Sequence, residues 1–171
     1  MKQGYVHVYT GDGKGKTTAA MGLALRAAGN SMNIFIAQFA KGQDTGEIKA
    51  IENIPNITIK QYGIEKFITG SPVNEVIKNT RQGFFEASEI IMSGKYDLVI
   101  LDEVNIALFY KILTLDEVLE IIDTKPKHTE LVLTGRKAAS EIIARADLVT
   151  EMKNIKHYYD AGVSARRGIE Y

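Results

Sequence analysis

Two kinds of apolar pattern alternate along the chain. Residues 5–10, 34–39, 57–61, 98–101, 131–134 and 148–152 are short runs rich in Val, Ile, Leu and Thr, the composition of strands. The run at 98–101 is continuously apolar, as expected of a central parallel strand buried on both faces. Residues 17–28 are nearly all apolar and predict a buried helix, with Gly29-Asn30 as its C-cap. Val73, Val76, Ile77, Thr80, Phe84, Ala87 and Ile91 recur at spacings of three and four and predict an amphipathic helix of about five turns. Thr114-Leu115-Asp116-Glu117 is a capping box opening a helix through about residue 122. Residues 138–145 predict a short helix, and 157–171 have no clear period. Pro55, Pro72 and Pro126 fall between the periodic segments, where turns are expected. Strands alternating with helices predict an α/β fold with a mainly parallel sheet covered on both faces. Ligands on such sheets bind at the carboxyl ends of the strands.

Length and charge narrow this picture. The 171 residues predict one domain, 1–171. The 21 basic and 21 acidic side chains cancel, which speaks against a nucleic-acid-coating protein. The absence of Cys removes disulfides, thiolate metal sites and Cys nucleophiles. Residues 1–5 lead into the first strand without a signal-peptide pattern, and no apolar run approaches the ~20 residues that span a bilayer. A cytoplasmic protein without membrane contact is the expectation.

The chemistry sits first in Thr10-Gly11-Asp12-Gly13-Lys14-Gly15-Lys16-Thr17-Thr18, between a strand and a helix, the context a phosphate-binding loop requires. Glycines let the backbone curl so that successive N–H groups face phosphate oxygens. The helix N-terminus adds its positive dipole end. Lys16 supplies a mobile charge and Thr17 a hydroxyl for Mg²⁺. The common pattern G-x-x-x-x-G-K-[ST] would place its first glycine at Thr10; here it is displaced to Gly11. Lys14 is either a second phosphate contact or a solvated loop lysine. The second half of the site is the strand ending in Asp102-Glu103. A carboxylate there reaches a Mg²⁺ beside the loop, directly or through water. Arg136, after Thr134-Gly135, ends another strand at the same edge. It either neutralises phosphate charge or pairs with a surface acid.

Phosphate binding does not fix a reaction. Attack by water on the γ-phosphate makes an ATPase, attack there by a substrate hydroxyl a kinase, and attack at the ribose C5′ an adenosyl transferase. Glu103 is the candidate for orienting or deprotonating a nucleophile in the first two. The third needs charge neutralisation on the leaving polyphosphate. Residue chemistry alone leaves all three open, and a corrinoid- or ATP-binding carrier without turnover besides.

A resemblance decides between them. The loop through Ala20, with its displaced first glycine, resembles that of the P-loop ATP:corrinoid adenosyltransferases. So do Gln38-Phe39-Ala40-Lys41-Gly42 with Gly46-Glu47, the segment from Tyr96 to Asn105, Leu133-Thr134-Gly135-Arg136, Ala146 to Met152, and the ending Lys156-His157 with Asp160 to Tyr171. The order and spacing of these pieces cover nearly the whole chain. The resemblance implies a P-loop NTPase-type, RecA-like three-layer fold. It implies attack by a Co(I) corrinoid on C5′ of ATP, with triphosphate leaving from a nucleotide that lies reversed in the loop. It also implies Mg²⁺, a cytoplasmic homodimer and an electron-donating flavoprotein reductase.

The implied catalytic residues are Lys16, Thr17 and Glu103. Thr17, Asp102 and Glu103 are the implied metal ligands. Gly11, Asp12, Gly13, Lys14, Gly15, Lys16, Thr17, Thr18, Lys41 and Arg136 would bind the nucleotide. Family members carry a Gly-Phe-x-Trp type segment after the third strand. Here that stretch runs Tyr62-Gly63-Ile64-Glu65-Lys66-Phe67-Ile68, and the chain has no Trp. Tyr62 and Phe67 are then the aromatics left to face the corrinoid, with core packing as their alternative. His7 and His128 have no metal-like partner at useful spacing and read as structural. His157 either orders the C-terminal stretch or touches the site, and Arg166 and Arg167 are either solvated or hold phosphate or a partner subunit.

Overall fold

The computed structural model describes residues 2–39, 45–63 and 73–171. In chain order the elements are β1 (Val6–Thr10), α1 (Lys16–Ala28), β2 (Ile34–Gln38), α2 (Gly46–Ile51), β3 (Ile57–Gln61) and α3 (Asn74–Met92). They continue with β4 (Leu98–Asp102), α4 (Val104–Phe109), α5 (Leu115–Thr124), β5 (Glu130–Thr134), α6 (Ser140–Arg145) and β6 (Leu148–Glu151). The six strands form one sheet in the order β3-β2-β4-β5-β1-β6, and every pairing is parallel.

Side-chain alternation along each strand builds the three layers. Val99 and Leu101 of β4 face one way, with Phe35 and Ala37 of β2 and Leu131 and Leu133 of β5; α3, α4, α5 and α6 cover that face. Leu98 and Ile100 face the other way, with Ile34, Ile36 and Val132, against Ala20, Met21, Ala24 and Ala27 of α1. Burial on both sides explains why β2 and β4 are apolar along most of their length. β6 is an edge strand and all four of its residues are exposed.

Most expected elements are present with shifted ends. The Thr114 box closes as expected: the Glu117 N–H donates to Thr114 Oγ1 at 3.3 Å, and the Thr114 N–H donates to the Glu117 carboxylate at 2.7 Å. Its helix runs on to Thr124. Gly29 does cap α1, but in a right-handed conformation (φ −62°); the left-handed residue of that turn is Ser31 (φ 58°). Two short helices, α2 and α4, have no sequence expectation behind them. Each is six residues long, too short for a 3.6-residue period to register. The C-terminal stretch holds a 3₁₀ turn at Tyr158–Ala161. No helix among the described residues is long and apolar enough to cross a membrane.

Candidate functional site

The loop between β1 and α1 needs its glycines at particular places. Gly11 and Gly15 adopt φ values of 96° and 118°, where side chains are strained. Gly13 is held by proximity instead: a Cβ there would lie 2.7 Å from the Met152 carbonyl oxygen. That oxygen accepts the Gly13 N–H at 2.7 Å, and the Met152 N–H donates to the Thr10 carbonyl at 2.8 Å. The segment after β6 therefore fixes the path of the loop.

Lys16, at the first position of α1, is 6% exposed. Its ammonium folds back and donates to the Gly11 and Gly13 carbonyls, both at 2.8 Å. Burial pushes its pKa below the ordinary lysine value. Glu103 opposes that shift, Arg136 adds to it, and Asp12 and Asp102 oppose it.

The same alternation that sorts the core sorts the polar strand ends. Asp102 continues the face of Leu98 and Ile100, so its carboxylate points to the α1 side. There the Thr17 hydroxyl donates to Asp102 Oδ1 at 3.0 Å. Asp102 is fully buried. It also accepts from Gln38 Nε2 at 3.0 Å and from the Thr134 hydroxyl at 2.7 Å. Glu103 follows in a left-handed conformation (φ 62°), and its N–H donates to Thr134 Oγ1 at 2.9 Å. That kink turns the chain into α4 at once. It also brings the Glu103 side chain close to Gly135, where a Cβ would stand 3.2 Å from the carboxylate.

These groups open onto a cavity of about 450 Å³ lined by loop residues 13–18, Gly46, Glu47, Glu103, Arg136, His157 and residues 168–171. The C-terminal stretch folds over the loop. Lys14 Nζ donates to the Ile169 carbonyl and to Glu170 Oε1, both at 2.7 Å. Glu170 also takes hydrogen bonds from the Tyr158 hydroxyl and the Arg166 N–H, and the Arg166 guanidinium lies 4.8 Å from the Tyr158 ring centre. These donors, Lys14 foremost and Tyr158 next, hold the Glu170 carboxyl far below the ordinary range.

Among the described residues no group of three or more His, Cys, Asp or Glu side chains could hold a metal ion. The pair that does meet, a hydroxyl and a carboxylate, consists of hard oxygen donors. Such a pair suits Mg²⁺, which takes few protein ligands and completes its shell with phosphate oxygens and water.

A family model described as ATP:corrinoid adenosyltransferase BtuR/CobO/CobP matches residues 2–171. The chain belongs to this family. It is 34% identical over 178 residues to the corrinoid adenosyltransferase CobA of Salmonella typhimurium, covering 99% of this chain and 87% of the relative. A corrinoid adenosyltransferase of a Sinorhizobium species is 36% identical over 174 residues (99% and 81% covered). One from Pseudomonas aeruginosa is 35% identical over 173 residues (99% and 85% covered).

Within this adenosyltransferase frame the structure brings together most of the residues picked out by sequence. Gly13 to Thr18, Glu103 and Arg136 line one cavity, with Asp102 directly behind Thr17. Asp12 stands on the rim, 4.0 Å from Arg136, both more than half exposed. Lys14 lines the cavity but is tied to the C-terminal stretch. Tyr62 is not among the residues that line this cavity: its ring stacks on Phe39 at 5.8 Å between centres and packs against Gly83 of α3. Lys41 and Phe67 lie outside the described residues.

His7 pairs with Glu130 at 2.6 Å and His128 bonds the Gly94 carbonyl at 3.0 Å; both are structural contacts. His157 caps the 3₁₀ turn, accepting the Tyr159 N–H at 3.1 Å, and lines the cavity as well. Gln38, Thr134, Met152 and Glu170 had no role assigned from sequence. For Gln38 and Thr134 a signal existed: each is a polar residue that directly follows a buried apolar run in its strand.

Proposed function

We propose that this chain transfers the 5′-deoxyadenosyl group of ATP to the Co(I) centre of a corrinoid. The cobalt electron pair forms the Co–C5′ bond, and the C5′–O bond breaks with its electrons leaving on triphosphate. What carries this reading is a family match that runs unbroken through the phosphate loop, the acidic strand and the C-terminal stretch.

The residues have separable tasks. Lys16 swings from the Gly11 and Gly13 carbonyls onto a phosphate, and backbone N–H groups at the start of α1 bind the remaining oxygens. Arg136, on the cavity wall, adds a second cation. These charges stabilise the polyanion as it departs, where negative charge develops in the transition state. Thr17 and Asp102 would hold Mg²⁺, with Glu103 at the edge of its shell. The ion, when bound, supplies further charge neutralisation at the polyphosphate. Co(I) is itself a strong nucleophile, so no side chain has to remove a proton from it. Glu103 then serves by its field on Lys16 and the metal, not as a general base. Magnesium, a homodimeric assembly, a cytoplasmic location and a flavoprotein reductase complete the proposal.

The test is anaerobic incubation with chemically reduced corrinoid and MgATP, following the cobalt spectrum and the released phosphate species together. Loss of the Co(I) band with an equal yield of triphosphate is the expected result. Orthophosphate or ADP with an unchanged corrinoid would assign the loop to phosphoryl transfer instead.

A further inference from the structure

Four polar side chains stand in a row across the carboxyl ends of four neighbouring strands. Gln61 ends β3, Gln38 ends β2, Asp102 ends β4 and Thr134 ends β5, and these strands are adjacent in the sheet in that order. Register puts them side by side: Gln38 is paired with Gln61 on one flank and with Asp102 on the other. Gln38, Asp102 and Thr134 follow Ile36, Ile100 and Val132 on the α1-facing side of the sheet, where those residues form one cluster.

The hydrogen bonds of the row converge on Asp102. Gln61 Nε2 donates to Gln38 Oε1 at 3.2 Å, and Gln38 Nε2 donates to Asp102 Oδ2 at 3.0 Å. From the other flank the Thr134 hydroxyl donates to Asp102 Oδ1. A carboxylate offers only acceptors. The Gln38 amide must therefore turn its NH₂ to Asp102 and its oxygen to Gln61, which meets that oxygen with its own NH₂. Gln38 is 1% exposed, so water cannot replace it as a donor.

We infer that Gln38 is a positioning residue for the metal carboxylate, with Gln61 and Thr134 as its supports. Each carboxylate oxygen of Asp102 has one donor from a strand end, Gln38 on Oδ2 and Thr134 on Oδ1, and two such anchors restrain rotation of the group. The remaining lone pairs face Thr17 and the loop, where the metal is read to sit. Partners of this kind orient a metal ligand, and losing one typically costs about 10–100-fold in metal affinity. This inference rests on the Mg²⁺ reading above and deepens it.

The experiment measures ATP affinity of the full chain by calorimetric titration, once with Mg²⁺ and once with EDTA, without corrinoid so that no turnover occurs. Gln38→Met keeps volume and removes the donor. The expected result is an unchanged affinity in EDTA and a Mg²⁺-dependent gain reduced about 10–100-fold. A gain equal to that of the unaltered chain overturns the inference. So does an equal loss with and without Mg²⁺, the mark of a merely structural role. If the unaltered chain shows no gain with Mg²⁺, the metal reading itself fails, and the inference with it. Should Gln38→Met not fold, Gln61→Leu is measured in the same way. A smaller but selective loss of the Mg²⁺ gain supports the row, and no change overturns it.

Discussion

Lys16 illustrates how a single side chain can be set for a ligand. Its ammonium is buried and, among the described residues, bonded to two neutral carbonyls, while Glu103, Asp12 and Asp102 supply the compensating field. A phosphate would replace neutral acceptors with charged ones and so pair the ammonium with an opposite charge. Lys16→Ala is accordingly expected to lower kcat/KM for adenosyl transfer by about 10²–10³-fold, the scale of removing one transition-state charge stabiliser. Far-UV circular dichroism and cooperative melting should stay as they are. An active Lys16→Ala chain would contradict the assignment of the loop.

Gly83, inside α3, poses a question of sign. An alanine in a helix interior ordinarily gains roughly 0.5–1 kcal/mol over glycine. Here a Cβ would stand 2.1 Å from the Tyr62 ring, and that ring is wedged against Phe39. Overpacking of this kind costs about 1–3 kcal/mol, so the clash outweighs the propensity. Gly83→Ala should lower the urea midpoint; a raised midpoint would mean that Tyr62 moves without resistance.

At the level of elements, the C-terminal stretch behaves as a strap on the phosphate loop. Glu170 has its pKa depressed, chiefly by Lys14 and then by Tyr158. Its contribution is therefore fully present above the ordinary carboxylate range and is lost as pH falls through the lowered folded value. Neutral-range pH profiles should not report on it, but Glu170→Gln should. Trypsin is expected to cut after Arg166 and Arg167 several-fold faster in that variant at neutral pH, on the order of the weakening of one exposed ion pair. Identical cutting rates would show that the strap is held by something else.

The helices themselves were legible to different degrees. The α1 and α3 stripes repeat over enough turns to declare a period, whereas α2 and α4 do not. The start of α4 is forced by the left-handed turn at Glu103, a tertiary demand made by Thr134 and Gly135 that no local pattern announces.

For the whole molecule, the parallel sheet was readable because burial on both faces leaves apolar runs such as Leu98 to Leu101. The two halves of the nucleotide site were readable because their residue types carry the chemistry in themselves. What stayed hidden depends on register between distant strands. Gln38 acquires meaning only once β2 lies beside β4, and Met152 and Glu170 only once β6 and the C-terminal stretch reach the loop. Ile100, with 0% exposure at the middle of this sheet, marks how much the assembled core is worth. Ile100→Ala is expected to cost about 2–5 kcal/mol, measured by urea unfolding. A loss within the range of a surface substitution would deny that β4 is central.

The bond from Gly13 to Met152 has a consequence for how the protein is made. Synthesis delivers the phosphate loop well before its brace, the segment after β6. A growing chain thus carries the glycine-rich loop without this brace until residue 152 has emerged. Nucleotide cannot chaperone the early stages, because the cradle that would grip it does not yet exist. A chain that stalls before residue 152 holds every loop residue named above and still lacks the bonds that set the loop's path.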